Sequence, residues 1–341
     1  MLLIQCLVTI TLLNGGHYFA QTPASVNLHF ESFDSAQSNT LHWQLAKGDR
    51  VLASEMVDLK KSQIQLAIPL PHVRTKIGLT LHCQWQQGDR IVNKTQTQII
   101  VWPPSGLSKP LKRFETLQVI VLSSSEAIEH LLKPVGVNVR TLNNLHALGL
   151  ARPHVLIVDQ ASDSIEPDSI ARRLKQFAES GTQIVVFGKR HLKSFTDIPT
   201  MRTKWSTLKA LDWQAQHPLL GGLSADDWAG TVPDDKEAML TALAVDADLP
   251  ISDWVACHDL SAAQIKAVLV AEQQLGQGRM IYWQLPLGNW QTDPRAAQVI
   301  ENILDYLATP IRPTRSRHAK ELDALRQTQI PQAPIPTIGN Y

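Results

Sequence analysis

A helix, a turn and a strand between residues 169 and 187 form the kind of unit that positions a nucleophile in α/β enzymes. Apolar residues at helical spacing predict an amphipathic helix that ends at Gly181, and residues 184–187 predict a buried strand. In parallel sheets, chemistry takes place just past the carboxyl end of a strand, where a sharp turn can expose a Cys or Ser. The residues of this turn are Gly188, Lys189, Arg190 and His191. Because none of them is a Cys or a Ser, the pattern favours a binding or structural role over acyl transfer.

Three histidines and one aspartate offer a different, hydrolytic chemistry. They are His191, His217, His258 and Asp212. Histidine is the usual general base near neutral pH, and two such rings near a carboxylate could activate a water molecule. His217 is followed by Pro218, which favours a loop residue whose ring caps a nearby backbone group.

Acidic and hydroxyl side chains follow two of the predicted strands. The acidic residues are Asp159, Asp163, Glu166 and Asp168. Their spacing is not that of a calcium loop, and carboxylates around Pro167 are suited to opening a helix. Ser123, Ser124 and Ser125 could cap a helix or hold an anion, and capping is favoured because no glycine-rich phosphate motif or Walker lysine is present. We therefore assign no catalytic, cofactor-binding or metal-binding residue from the sequence.

The balanced composition excludes an electrostatic nucleic-acid binder. The 341 residues include 32 Lys and Arg against 31 Asp and Glu, which gives a net charge of +1. Nucleic-acid partners require a basic patch or stripe, so none is expected. The three cysteines are far apart in sequence and lack C-x-x-C spacing, so we predict buried thiols and neither a zinc site nor a redox pair. They are Cys6, Cys83 and Cys257.

The leading segment, residues 1–23, has two interpretations. Residues 1–13 are apolar and precede small residues, as in a secretory signal, but no Lys or Arg occurs before Lys47. The run is also too short to cross a bilayer as a helix. The second interpretation is the last helix of a preceding domain, ending at Asn14. Localisation therefore stays open between secreted or periplasmic and cytoplasmic.

Residues 24–104 predict an antiparallel β-sandwich. Polar and apolar residues alternate over residues 26–30, 41–45, 64–68, 79–85 and 97–102, with short turn sequences between them. Period-2 alternation is typical of strands with one buried face, and the length is that of an immunoglobulin-type domain. Trp43 and Trp85 are in phase with the apolar face, so we interpret them as core residues.

Residues 115–309 predict an α/β domain with a mostly parallel sheet. Strands alternate with helices, which specifies right-handed βαβ crossovers. The predicted elements are strands 117–122, 137–141, 154–159 and 183–187 and helices 125–132 and 168–180. Residues 189–265 are expected to form loops and short elements, a hairpin at 266–283 to end the sheet, and residues 293–307 to form a closing helix. The Pro-rich residues 310–341 predict a flexible tail.

Several short motifs, in this order, resemble parts of a known enzyme family. LHWQL at 41–45, IPLP at 68–71 and VWP at 101–103 resemble the immunoglobulin-like modules of β-galactosidase-type enzymes of glycoside hydrolase family 2. The second part is similar to the class I glutamine amidotransferase-like domains attached to such enzymes, with a flavodoxin-like sheet. Its motifs are VLIVD at 155–159, HPLLGGL at 217–223, GQGR at 276–279, QLPL at 284–287, DP at 293–294 and NILDY at 302–306.

The resemblance implies a role in carbohydrate metabolism but carries over neither activity. The catalytic (β/α)8 barrel of the family is absent from these residues, and no Cys-His-Glu set occurs in the expected order. The leading hypothesis is a non-catalytic accessory or carboxyl-terminal portion that binds carbohydrate or a catalytic glycosidase subunit. A hydrolase using the histidines above is the second hypothesis. The third is a homo-oligomerisation module acting through exposed aromatic residues such as Trp228 and Trp290.

Overall fold

The chain is mostly β, with several sheets and a few helices. A computed structural model describes residues 8–144, 146–148, 153–159, 167–188, 195–204, 211–229, 239–245, 251–257 and 266–308. All of the described residues belong to one compact unit. The tail predicted at 310–341 lies outside the described residues. Among the described helices, none combines the length and hydrophobicity that crossing a bilayer requires.

The first eight strands form two facing sheets. They are β1 (Val8–Leu12), β2 (His17–Phe19), β3 (Ala24–Phe30), β4 (Asn39–Lys47), β5 (Arg50–Asp58), β6 (Gln63–Ile68), β7 (Ile77–Gln87) and β8 (Arg90–Trp102). Three strands pair in the order β1-β3-β6 and five in the order β2-β8-β7-β4-β5. Apolar residues of both sheets share one core, so the two sheets form the predicted β-sandwich.

The two predicted core tryptophans are buried between the sheets. Trp43 is 2% exposed and Trp85 is 1% exposed. The ring of Trp85 contacts Phe30 at a centroid distance of 5.2 Å, and its Nε1 donates to Asn39 Oδ1 at 3.1 Å.

Cys83 is buried in the same core, and burial raises the pKa of its thiol to about 12. The predicted buried thiol is confirmed at this position, whereas Cys6 and the side chain of Cys257 lie outside the described part.

The leading segment forms strands instead of the end of a helix. β1 pairs antiparallel with β3, and β2 pairs parallel with β8. β1 alternates Thr with Val, Ile and Leu, a pattern that suits a half-buried strand. Asn14 and Gly15 adopt φ values of 51° and 63°, and this left-handed turn lets the chain change sheets. The interpretation of residues 8–12 as a terminal helix is therefore wrong, and the secretory-signal interpretation stays a prediction.

The remaining strands belong to one ten-stranded sheet. They are β9 (Gln118–Leu122), β10 (Asn138–Leu142), β11 (Val155–Val158), β12 (Gln183–Phe187), β13 (Thr200–Lys204), β14 (Leu211–Trp213), β15 (Met239–Val245), β16 (Ile251–Cys257), β17 (Lys266–Leu275) and β18 (Gly278–Trp283). The helices are α1 (Ala127–Leu132), α2 (Pro167–Glu179), α3 (Asp226–Ala229) and α4 (Pro294–Ala308). The strands and helices predicted between residues 117 and 187, and the closing helix, are confirmed to within about two residues.

This sheet is mixed, which corrects two predictions. The strands in the order β10-β9-β11-β12-β18 run parallel, but β17 pairs antiparallel with β18, and the sheet continues through β15 and β13. The β17–β18 hairpin therefore lies inside the sheet and does not end it. Residues 189–265, expected to be loops and short elements, contribute four strands. β15 is rich in Ala and Leu, whose intrinsic preference is helical, so pairing with β17 decides its conformation.

The segment between the sandwich and the mixed sheet is packed. It contains two 3-10 turns, Gly106–Ser108 and Lys112–Phe114, whose Leu107 and Phe114 are buried in the same apolar core as α4 residues. The linker at 105–114 thus joins two parts that share buried surface. The division into domains 24–104 and 115–309 stays a prediction.

Candidate functional site

Two neighbouring parallel strands end in polar residues that contact each other. Ser123 follows β9, Asp159 follows β11, and each is 2% exposed. Ser123 Oγ donates to Asp159 Oδ2 at 2.8 Å, and Trp290 Nε1 donates to Asp159 Oδ1 at 3.3 Å. β10 lies on one side of β9 and β11 on the other. The contact is therefore at the point where strand order reverses, which is where open α/β sheets bind ligands.

The hydrogen bonds of Ser123 hold two strand ends together and do not activate its hydroxyl. The Ser125 N–H donates to Ser123 Oγ at 3.0 Å, and the Ala127 N–H at the start of α1 donates to Ser125 Oγ at 3.2 Å. The capping interpretation holds only for Ser125, which accepts from the first N–H of α1; the N-cap position itself is Glu126, whose side chain makes no capping hydrogen bond. A carboxylate is a weak base towards a hydroxyl, and both oxygens of Asp159 already accept hydrogen bonds. This cluster fixes the loops at the strand ends.

The turn after β12 is described only at its first residue. Gly188 has a φ of 43° and its N–H donates to Trp283 O at 2.8 Å. Beside it, the ring of Trp290 contacts Phe187 edge-on at a centroid distance of 5.0 Å. Lys189, Arg190 and His191 lie outside the described residues. The missing nucleophile therefore remains an inference from the sequence.

His217 caps the turn that it precedes, as predicted from Pro218. Its Nδ1 accepts a hydrogen bond from the Leu219 N–H at 3.3 Å, and its ring lies 5.3 Å from that of Tyr306. Burial, and then the positive charge of Arg279, lower the pKa of His217 to about 4. Asp212 lies on β14 and is exposed. The other two histidines of the hydrolase hypothesis, His191 and His258, lie outside the described part of the chain.

The acidic residues near α2 are described only in part. Asp168 lies in the first turn of α2, which begins at Pro167, in agreement with the predicted helix opening. Asp163 and Glu166 lie outside the described residues, and Asp159 makes the contacts given above. Within the described ranges, no group of three or more His, Cys, Asp or Glu is arranged to hold a metal ion.

The two tryptophans that the assembly hypothesis required at the surface are buried, which corrects that hypothesis at these positions. Trp228 is 0% exposed and Trp290 is 5% exposed. Trp228 Nε1 donates to Pro286 O at 2.9 Å, and its ring packs on those of Trp213 and Trp283. Large aromatic residues fill the core between sheet and helices here, so neither can serve as an anchor for a partner.

A second polar site lies on the five-stranded sheet of the sandwich. It is a groove of about 830 Å³, within the range of small-molecule sites. Its lining residues come from β4, β7 and β8: His42, Gln44, His82, Cys83, Gln84, Lys94, Thr95 and Gln96. We call this feature the sheet groove. It lies on the face opposite the sandwich core, because alternate residues of β4 and β7 are the buried ones.

Strand register arranges the groove residues in two rows. His42 pairs with Gln84, which pairs with Lys94 on β8. In the next row, Gln44 pairs with His82, which pairs with Gln96. Directly paired residues lie about 5 Å apart across the strands, so each row presents three polar side chains over about 10 Å.

The groove can form many hydrogen bonds to a neutral, hydroxyl-rich ligand. Amide and imidazole side chains both donate and accept, which matches the dual character of hydroxyl groups. Among its lining residues, Lys94 carries the positive charge and none is a carboxylate. The lining also lacks Phe, Tyr and Trp, so a ring-shaped ligand would be held by hydrogen bonds without aromatic stacking. The chemistry suits weak binding of a polyhydroxylated molecule.

Sequence reasoning missed this groove. In the sequence, the polar residues of β4 and β7 are only the solvent-facing half of an alternation. Their partners in each row are about 40 positions apart along the chain, so the rows exist only after the strands pair. A signal was present in the repeated His-x-Gln spacing of His42 with Gln44 and His82 with Gln84.

A buried ion pair at the amino end of α4 belongs to a network that reaches the leading segment and the sandwich. Arg295 donates from Nε and Nη2 to the two oxygens of Asp293, at 3.0 and 2.8 Å, with both side chains essentially unexposed. The Arg295 Nη1 and Nη2 groups also donate to the carbonyls of Asp227 and Asn14. Lys76, which precedes β7, forms an ion pair with Asp227 at 2.8 Å. This network ties the leading segment and the sandwich to the amino end of α4.

His17 sits beside this network as a neutral ring. Its Nδ1 accepts a hydrogen bond from Trp102 Nε1 at 3.0 Å, and the residue is 3% exposed. Burial, followed by the charge of Arg295, lowers its pKa from 6.5 to about 4. A proton on Nδ1 would break the bond to Trp102. The unfolded chain therefore binds a proton on His17 at a pH where the folded chain does not.

We expect stability to depend on His17 between pH 6.5 and 4. The part of the free energy of unfolding that comes from the neutral His17 ring is fully present above pH 6.5. It falls by up to about 3 kcal/mol as the pH drops towards 4. His17→Gln, which keeps an acceptor for Trp102, should flatten the fall in the free energy of unfolding over this window. Urea unfolding at a series of pH values measures the slope. Adding His217→Gln should flatten the pH dependence of the free energy of unfolding further. An unchanged slope in both variants would contradict the lowered pKa values of these two histidines.

Comparisons with known proteins give little further information. No protein-family model matches the sequence, and no curated protein matches it. Among solved structures, the chain is similar to the crystal structure of a CARDB domain from Pyrococcus furiosus in complex with di-metal ions. The identity is 10%, the match covers 30% of this chain and 97% of that chain, and the TM-score is 0.20. A TM-score this low supports no conclusion about the ligand or the function of this chain.

Proposed function

We propose that this chain is a non-catalytic accessory portion of a β-galactosidase-like glycoside hydrolase of family 2, and that it binds carbohydrate in the sheet groove. The two rows of amide and imidazole side chains across β4, β7 and β8 carry the proposal. They match the alternating donors and acceptors of sugar hydroxyls. Without an aromatic platform, the dissociation constant for a short oligosaccharide is expected to be about millimolar.

The sandwich topology supports the resemblance to an immunoglobulin-like module. A three-stranded and a five-stranded sheet pack face to face, with the chain crossing between sheets after β1. Two packed sheets of seven to nine strands are the architecture of that domain type. In this account, β1 and β2 are part of the module, because both pair with its strands.

The mixed sheet supports the resemblance to an amidotransferase-like domain. Its first four strands lie in the order β10-β9-β11-β12, which is the flavodoxin-like order 2-1-3-4. The antiparallel strands beyond β18 are additions to that core. The domain acts here as a scaffold, because the Ser123–Asp159 pair at the switch point uses its hydrogen bonds internally. The hydrolase alternative has less support, since the Nδ1 of His217 is engaged by the Leu219 N–H.

Binding of a galactose-containing oligosaccharide to the full chain tests the proposal. We expect isothermal titration calorimetry to give saturable binding of the sugar by the wild type. The double variant Gln44→Leu, Gln84→Leu should weaken this binding about tenfold or more, because each of its substitutions removes ligand hydrogen bonds from one row. Leucine is close to glutamine in volume and is compatible with a β-strand, so this variant should unfold at the same denaturant concentration as the wild type.

A matched glutamine on the other sheet provides the control. Gln65 lies on β6, is exposed, and is outside the groove. Gln65→Leu should leave the affinity unchanged. Equal loss of binding in the Gln65 and groove variants, or no saturable binding by the wild type, would refute the groove as a carbohydrate site.

A further inference from the structure

The three strands that line the sheet groove contain basic residues and no acidic ones. β4, β7 and β8 include Lys47, Arg90 and Lys94, and none of their residues is Asp or Glu. The chain as a whole is balanced, with 32 Lys and Arg against 31 Asp and Glu. The groove therefore lies in a part of the surface with a local excess of positive charge, and such a surface attracts anions.

Lys94 supplies the permanent positive charge of the groove lining. It is exposed, and no carboxylate of the described residues forms an ion pair with it. Its cross-strand partner is Gln84, and its diagonal neighbour on β7 is His82. An amide and an imidazole leave the charge of Lys94 without a counter-charge and offer hydrogen bonds beside it.

The acidic residues in the strands of this sheet are both on β5, at the far side of the groove. Glu55 pairs with Trp43, so its side chain is on the core side of the sheet. Asp58 pairs with Thr40 on the groove side, but three strand spacings, roughly 14 Å, separate β5 from β8. The Debye length at physiological ionic strength is about 8 Å. Asp58 is therefore too far away to neutralise Lys94.

The groove is open on the side of Lys94. The next strand in the sheet order, β2, pairs with β8 only at Ile100–Trp102. On the side of β8 away from β7, no strand that the structure describes therefore pairs with β8 at Lys94. A substituent of a ligand that lies across the two rows can reach the ammonium group from this side.

We propose that the sheet groove prefers acidic saccharides to neutral ones, with a carboxylate or sulfate group of the sugar bound at Lys94. The hydroxyl groups bind the amide and imidazole rows, and Gln84 and His82 contact the sugar unit that bears the charge. This inference rests on the proposed carbohydrate function and adds the chemical class of the sugar. Lys94 is the specificity-determining residue, because it is the groove residue that distinguishes a charged sugar from a neutral one.

Matched trisaccharides test this preference in the full chain. The probes are galactotriose, the same trisaccharide with one galacturonate unit, and the same trisaccharide with one sulfate group. Isothermal titration calorimetry at low salt should give an affinity about fivefold higher for an anionic probe than for galactotriose, the effect of one charge pair at a partly exposed site. High salt should reduce this preference, because it screens the charge pair. The anionic probe with the higher affinity identifies the group as carboxylate or sulfate.

Three variants assign the preference to one residue. Lys94→Met should abolish the difference in affinity between anionic and neutral probes, and Lys94→Arg should keep it, because arginine restores the positive charge. Lys61→Met is the matched control, since Lys61 is exposed and lies outside the groove, and it should keep the wild-type preference. Urea unfolding of each variant checks that the sandwich is folded.

The outcomes separate this inference from the proposed function. Equal affinities of the wild type for all three trisaccharides would overturn the preference for acidic sugars and leave the carbohydrate site standing. No saturable binding of any probe would overturn both. A preference that persists in Lys94→Met would overturn the role of Lys94. A Glu-rich peptide that binds as tightly as the anionic sugar would also overturn the inference, because the groove would then recognise charge without hydroxyl groups.

Discussion

Replacing Arg295 by methionine is expected to lower the free energy of unfolding by about 3–5 kcal/mol, the cost of removing one partner of a buried ion pair. The substitution leaves the carboxylate of Asp293 fully buried without its bidentate partner. It also removes the donors to the carbonyls of Asp227 and Asn14. Because these contacts link the leading segment to α4, the loss should destabilise the compact unit as a whole. Guanidinium unfolding followed by circular dichroism measures it.

Two further variants separate charge from packing. Adding Asp293→Asn to Arg295→Met should recover only part of the lost stability. It removes the stranded charge and keeps an oxygen for the backbone N–H of residue 295, but its amide nitrogen replaces the oxygen that accepts the Gly288 N–H. Arg113→Met, at an exposed ion pair with Asp305, should cost less than about 1 kcal/mol. A similar cost for the buried and exposed pairs would contradict the structural role of the network.

Replacing Trp43 by alanine is expected to cost about 3–5 kcal/mol, the range for removing a large buried aromatic side chain. Trp43 is 2% exposed and packs between the two sheets of the sandwich. The cavity cannot close easily, because strands paired on both sides hold β4 in place. Chemical denaturation of the full chain measures the effect.

Trp43→Phe is the matched variant. The Trp43 Nε1 atom is buried and has no hydrogen-bond partner among the residues that the structure describes, so phenylalanine removes an unsatisfied donor while keeping most of the apolar contacts. Its cost should be clearly smaller than that of alanine. Unchanged denaturation of Trp43→Ala combined with lost saccharide binding would show instead that Trp43 is a ligand platform.

Local sequence patterns predicted those elements whose burial follows a simple period. The sandwich strands with one buried face and the βαβ units around β11 and α2 were predicted. Burial of one face spaces apolar residues two apart in a strand and about 3.6 apart in a helix, and these spacings are visible in the sequence. β5 was missed because it is exposed along its length and has no such period. The strands β13 to β16 were missed because pairing decides their conformation more than their own propensities: β15 and β16 pair with β17, β13 pairs with β15, and β14 pairs with β16.

The candidate sites were harder to predict because they are assembled from distant segments. Ser123 and Asp159 come together only through the order of β9 and β11, and the groove rows only through the register of β4 with β7. The burial of Trp228 and Trp290 depends on the helix and sheet that cover them, which no local pattern gives. The capping role of His217 was accessible, since the following proline favours a turn.

The central claim, that saccharide binds in the sheet groove without turnover, is tested most directly by a nuclear magnetic resonance titration with a galactose-containing oligosaccharide. We expect the ring resonances of His42 and His82 to shift with saturation, the indole resonance of Trp290 beside Asp159 to stay unchanged, and the sugar to remain intact. Shifts confined to Trp290 and its neighbours, or cleavage of the glycosidic bond by the purified chain, would contradict the account.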